Sequence, residues 1–152
     1  VRITRHQMFM EVAQVVAKRS TCYRLNVGAV VVVCNRIVSI GYNGSPPGEP
    51  HCAGNECPGR HGCKIALHAE MNALAYVPIG LEHPRDLYVT DSPCELCAAQ
   101  LAPRGVARVF FANPYRITDH LNVLPARGVE TYRITPAGYI MNWTTGEVVE
   151  LP

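Results

Sequence analysis

Two short stretches hold the residues best suited to chemistry: His68-Ala69-Glu70, and Pro93-Cys94-Glu95-Leu96-Cys97 about twenty-four residues later. Cysteines at i and i+3 of a helix lie on one face, so Cys94 and Cys97 can grip a single ion. Residues two apart on a helix do not share a face, so for His68 and Glu70 to serve one site the end of their helix must point at it. One imidazole and two thiolates make three protein ligands for zinc and leave the fourth tetrahedral position to water, as in catalytic rather than structural sites. Zinc lowers the pKa of such water to about 7, which supplies a hydroxide nucleophile at neutral pH, and helix N-terminal dipoles favour the anion. Glu70 then suits the general acid and base that takes the proton from water and passes it to a substrate. The competing reading is a Cys/His zinc clamp with a helix-capping acid beside it. A C-x-x-C pair alone does not separate the two, and the added His-x-Glu favours catalysis.

The elements that must position these residues can be read on either side of them. Residues 5–18 put Phe9, Val12, Val15 and Val16 at helical spacing, with Lys18 and Arg19 where cations favour a helix C-terminus. Residues 27–33 are a β-branched run, Cys34-Asn35 is a tight turn, and residues 36–43 return as a second strand, which together predict a hairpin. Residues 44–65 are too rich in Pro, Gly, Asn and His for regular structure, and a loop that long is uncommon in a compact domain unless it is functional. Helices over about 68–76 and 94–102 alternate with strands over 86–92 and 107–113, and residues 130–136 add a last strand. The two later helices imply parallel neighbours and the hairpin an antiparallel edge. The fold class expected is therefore α/β, with a mixed five-stranded sheet covered by helices. No repeat or linker interrupts the 152 residues, so one domain spanning 1–152 is expected.

Nearly half the residues are apolar (48%) and 17% are charged, with no apolar run near the ~20 residues of a membrane span. The first residues lack the apolar core of a secretory signal, so a soluble protein in the cytoplasm (the host cytoplasm if viral) is expected. The formal net charge of +2 comes from twelve Arg and two Lys without a basic cluster, which argues against long nucleic acid as a partner. The planar fork of Arg remains compatible with a small phosphorylated substrate. Seven cysteines, an odd number, with several beside histidines, read as reduced metal ligands rather than a disulfide framework.

His-x-Glu followed by Pro-Cys-x-x-Cys is the signature of zinc-dependent nucleobase deaminases. Through VGAVVV, GYNGSPPG (41–48), HAEMNA (68–73), SPCELC (92–97) and a Tyr eighteen residues after Cys97, the chain resembles deoxycytidylate deaminases, phage members included. These belong to the zinc-dependent cytidine/deoxycytidylate deaminase family, and the resemblance covers roughly residues 5–135. It implies a three-layer α/β/α cytidine deaminase-like sandwich and hydrolysis of dCMP to dUMP and ammonia in pyrimidine deoxynucleotide metabolism. It also implies a homo-oligomer, often a hexamer, switched by dCTP or dTTP, with Mg2+ accompanying the regulatory triphosphate. By position, His68, Cys94 and Cys97 match the catalytic zinc ligands and Glu70 the proton shuttle between water, ring N3 and the departing amino group. Tyr115, Asn43, Ser92 and Ala69 match substrate contacts. From the residues alone, Tyr115 also reads as a core tyrosine, Asn43 as an Asn-Gly turn and Ser92 as a helix N-cap. Arg24, Arg116 and Ser45 lie in segments able to meet a phosphate, and the sequence does not choose among them.

The densest run of metal-type residues, HCAGNECPGRHGC (51–63), is left over once the catalytic ligands are counted. Cys22 and Cys52 match ligands of a second zinc in some phage relatives, and Cys57 and Cys63 complete a set of four thiolates, with His51 and His61 near enough in sequence to substitute. Four protein ligands close a zinc site to water, so this one would be structural, ordering a long loop at the end of the first helix. Two other readings share parts of the pattern: a tRNA adenosine or other nucleic-acid base deaminase with the same zinc motif, and a non-catalytic zinc-stabilised interaction protein.

Overall fold

The computed structural model describes residues 1–52, 63 and 65–152. Thr4 opens the first helix, α1 (Arg5–Ala17), with a reciprocal cap. Its hydroxyl accepts from the Gln7 amide at 3.1 Å, and Gln7 Oε1 accepts from the Thr4 amide at 2.8 Å. The buried stripe of α1 is His6, Phe9, Met10, Ala13, Val16 and Ala17. This corrects the expected stripe, because Val15 is 62% exposed. The reason is close packing: a Cβ on Gly28 would lie 2.0 Å from the Ala13 carbonyl oxygen, so α1 turns its alanines, not Val15, onto the sheet.

The hairpin forms as expected from β1 (Gly28–Val33) and β2 (Arg36–Tyr42). Its turn residues Cys34 and Asn35 both lie in the left-handed region (φ 49° and 61°), as a type I′ turn requires. The remaining strands are β3 (Arg85–Asp91), β4 (Val106–Asn113), β5 (Glu130–Ile134), β6 (Ile140–Asn142) and β7 (Val148–Val149). They form one sheet in the order β2-β1-β3-β4-β5-β6-β7, so the sheet has seven strands rather than five. The two additional strands are only three and two residues long, too short to show a period of two in sequence.

Two helices connect the central strands. The first, α2 (Ala69–Ala75), runs from β2 to β3. These two strands are parallel but not neighbours, because β1 lies between them antiparallel to both. The second, α3 (Glu95–Leu101), joins β3 to β4, which are true parallel neighbours. It ends before residue 102, continuing as a single 3₁₀ turn (Ala102–Arg104) that contains Pro103 and closes at Gly105 with φ 75°. Pro103 has no N–H to extend the α-helical ladder.

β1 is buried along its whole length, which explains its unbroken valine run. Val30 and Val32 join Phe9, Met10, Tyr88, Phe110 and Tyr132 under α1. Ala29 and Val31 join Leu87, Val89, Val109, Phe111, Ala69, Ala73 and Ala98 under α2 and α3. The sheet is thus the middle of three layers. No helix among the described residues is long and apolar enough to cross a membrane.

Candidate functional site

His68 is the N-cap residue of α2, with extended backbone and no side-chain capping bond, so its imidazole is not spent on the helix. The end of α2 is pinned tightly to β2. Leu67 and Gly44 exchange backbone hydrogen bonds at 2.8 and 3.1 Å, and Asn72 Nδ2 donates to the Tyr42 carbonyl at 2.9 Å. Gly41 allows backbone to meet backbone here, since a Cβ would sit 2.4 Å from Ala73 N and 2.5 Å from the Ala69 carbonyl oxygen. Cys94 caps α3, and its sulfur accepts from the Cys97 amide at 3.5 Å. The expected alternative role of Ser92 as N-cap is therefore taken by Cys94. The Ser92 hydroxyl instead accepts from the Tyr115 amide at 2.8 Å, tying the end of β3 to the segment after β4.

These two helix starts bring His68, Cys94 and Cys97 together, with one donor atom from each within 4.8 Å of the others. His68 Nδ1 lies 3.2 Å from Cys97 Sγ and 3.5 Å from Cys94 Sγ. Both cysteines are free thiols. Hydrogen bonding from Cys97 holds the Cys94 thiol well below its usual value, at about 3, and raises that of Cys97 in turn. The bond to Cys94 raises the His68 pKa. One nitrogen and two sulfurs, one of them readily a thiolate, form a donor set that fits zinc.

Glu70, in the first turn of α2, is 4% exposed, and burial pushes its carboxyl up to about 7. A carboxyl near that value can both take and give a proton at neutral pH. His68, Glu70 and Cys94 line a cavity of about 410 Å³, within the ~300–1,000 Å³ typical of small-molecule sites.

The other sequence-predicted residues fall as follows. Asn43, Ser92, Ala69 and Tyr115 all line this cavity, as do Arg24 and Arg116; the Arg116 guanidinium lies 5.0 Å over the Tyr115 ring. Ser45 does not line it; its amide donates to Thr21 Oγ1 at 3.1 Å. Asn43 is not a simple turn residue. Its Oδ1 accepts from Ser20 Oγ at 2.6 Å and Val27 N at 2.8 Å, and Nδ2 donates to the Leu25 carbonyl at 2.7 Å. These bonds fold residues 20–27 into the cavity wall. Cys22 and Cys63 both line the cavity, and Cys52 is half-buried. Cys22, Cys52 and Cys63 do not form a three-donor group by themselves. Cys57 and His61 lie outside the described residues.

Two residues in or against this site carried no usable sequence signal. His120 Nε2 lies 2.7 Å from the Pro93 carbonyl oxygen, and since a carbonyl only accepts, this nitrogen carries the proton and steadies the turn leading into Cys94. Asp91, the last residue of β3, lines the cavity beside Ser92.

The family model described as the cytidine and deoxycytidylate deaminase zinc-binding region matches residues 3–113. The chain is 33% identical to the deoxycytidylate deaminase of Schizosaccharomyces pombe over 84% of its own length but only 43% of that protein's. It is 37% identical to the deoxycytidylate deaminase of Mycobacterium phage D29, covering 69% of this chain and 91% of the phage protein. The crystal structure of dCMP deaminase from the cyanophage S-TIM5 in complex with dCMP and dUMP superposes with a TM-score of 0.74 at 36% identity. That match covers 84% of this chain and 94% of the cyanophage chain.

Proposed function

Because the chain belongs to the cytidine and deoxycytidylate deaminase family, we propose that it hydrolyses dCMP to dUMP and ammonia. The observation that carries this reading is the buried Glu70 beside the His68, Cys94 and Cys97 cluster, on one nucleotide-sized cavity. The likeness to a cyanophage enzyme crystallised with dCMP and dUMP supports the choice of substrate.

His68, Cys94 and Cys97 would hold zinc, which when bound lowers the pKa of a water and so supplies the nucleophile for ring C4. Glu70 takes the proton released by that water and delivers it to ring N3; after attack at C4 it takes the remaining proton of the new C4 hydroxyl, which becomes the carbonyl, and gives it to the amino group that leaves as ammonia. Its desolvated environment keeps both protonation states within reach near neutrality. The Ser92 backbone carbonyl accepts from the departing amino group. Tyr115 packs on the pyrimidine by its ring face, Ala69 borders the ring, and Asn43 meets the sugar while holding the wall. Arg24 and Arg116, at the same cavity, are the residues suited to the phosphate.

The same proposal includes a second, structural zinc on Cys22, Cys52, Cys57 and Cys63. Its support is that Cys22 and Cys63 both line the cavity. Two zinc ions per chain, falling to one in Cys22→Ala, is the expected metal analysis, and one zinc in the unaltered protein removes this site. A hexamer switched by dCTP or dTTP with Mg2+ completes the proposal and rests on family likeness.

Ammonia release from dCMP, dCTP, cytidine and a tRNA anticodon hairpin, measured side by side, tests the substrate. dCMP is expected to be the best of the four by kcat/KM. Preference for the hairpin would make this a nucleic-acid deaminase, and no release from any of the four would favour a binding protein.

A further inference from the structure

Along β3, Leu87 and Val89 point to the α2 and α3 side of the sheet and are fully buried there. Strand alternation gives the next position on that side to Asp91, and an apolar residue would continue the pattern at less cost. Asp91 is instead a half-buried carboxylate on the cavity wall, beside Ser92 and three residues before Cys94. The Thr90 hydroxyl donates to its Oδ2 at 3.1 Å and the Asn113 side chain also donates to it. Burial nonetheless raises its pKa, and among the described residues no cation pairs with it. A carboxylate offers about four lone-pair sites, so acceptor capacity remains after those two bonds.

Taking the deoxycytidylate reading as its basis, we propose that Asp91 is a specificity residue that accepts a hydrogen bond from the C4 amino group of the cytosine ring. A cytosine deoxynucleotide carries two kinds of neutral donor, that amino group and the sugar 3′-hydroxyl. The reacting C4 must lie at the His68, Cys94 and Cys97 end of the cavity, where Asp91 and Ser92 are. The sugar lies at the other end of the molecule. An amino group has two N–H bonds, enough for the Ser92 carbonyl and the Asp91 carboxylate together. Uracil presents a carbonyl oxygen at the same position, and that acceptor would face the acceptor on Asp91. Asp91 therefore favours substrate over product and keeps dUMP from occupying the site.

Calorimetric affinities for dCMP and dUMP, measured on zinc-loaded Glu70→Gln protein to suppress turnover, test this directly. The single variant is expected to bind dCMP at least about tenfold more tightly than dUMP. Adding Asp91→Asn, whose amide can donate to the uracil carbonyl, is expected to cut that ratio about tenfold or more. Asp91→Ser, smaller and neutral, provides the same comparison if thermal unfolding shows that Asn disturbs the fold. Equal affinities in the single variant, or a ratio that moves less than twofold on changing Asp91, overturn the proposal. Failure of the deaminase reading itself is distinguishable, because it appears as absent ammonia release by the unaltered protein.

Discussion

Each face of the sheet covers a side chain with an acid–base role open to it, buried to the same depth: His6 on α1 and Glu70 at the start of α2, both 4% exposed. His6 has a partner at each ring nitrogen, the Tyr88 hydroxyl 2.7 Å from Nδ1 and the Pro152 carbonyl oxygen 3.2 Å from Nε2. Its ring also packs against Phe110 at 4.9 Å between centroids, within a stack that continues to Tyr88 and Tyr132. Glu70 has the hydrogen bond of its own backbone amide and faces a cavity. Depth of burial is thus the same, and surroundings decide the role. The aromatic face spends its polar group on structure, while the alanine-rich face leaves room for a ligand and a carboxyl with a proton to exchange.

The largest effect should come from removing a donor on the cavity face. Cys97→Ala is expected to lose the zinc held with His68 and Cys94 and to drop ammonia release below detection, read by metal analysis and assay on the same preparation. Full zinc content in that variant would separate the cluster from the metal. Next is the close approach that places α2. Gly41→Ala forces a methyl into the backbone of Ala69 and Ala73, with an expected loss of about 1–3 kcal/mol in urea unfolding together with reduced kcat. An unchanged midpoint would mean that α2 is not held by this contact.

The smallest effect belongs to the opposite face and depends on pH. Burial lowers the folded-state pKa of His6, with Arg108 and Arg5 lowering it further and Asp86 and the Pro152 carbonyl opposing. The unfolded chain therefore binds the proton more readily. Stability from this group is fully present above about pH 6.5 and is lost as pH falls from there through the folded value. His6→Gln keeps a donor and an acceptor but does not titrate, so its urea midpoint should fall less than that of the unaltered protein between pH 7 and 5. Parallel midpoints would show that His6 is not the group responsible.

Much of this arrangement was legible in the sequence, for reasons tied to particular residues. The unbroken valine run marks a fully buried strand, Cys34-Asn35 is a two-residue turn signal directly after it, and helices alternate with strands from α2 to β4, so the hairpin and the β-α-β units could be placed. His-x-Glu and Cys-x-x-Cys fixed the helix starts because ligand geometry demands that spacing. Val15 misled because apolar spacing does not reveal that Ala13 and Ala17 pack more closely on Gly28. Strands β6 and β7 were too short to register. His120 lies twenty-seven residues from the carbonyl it holds, and Asp91 matters only through the cavity that α2 and α3 form above it. Long-range placement of this kind has no local pattern.

The most direct test of the central claim compares unaltered and Glu70→Gln protein for zinc content and for ammonia release from dCMP in the same samples. Equal zinc with turnover reduced by about 100-fold or more is the expected result, because the metal ligands remain while the group that moves protons is removed. Equal zinc with turnover within a few fold of the unaltered protein would contradict the assignment of proton transfer to Glu70.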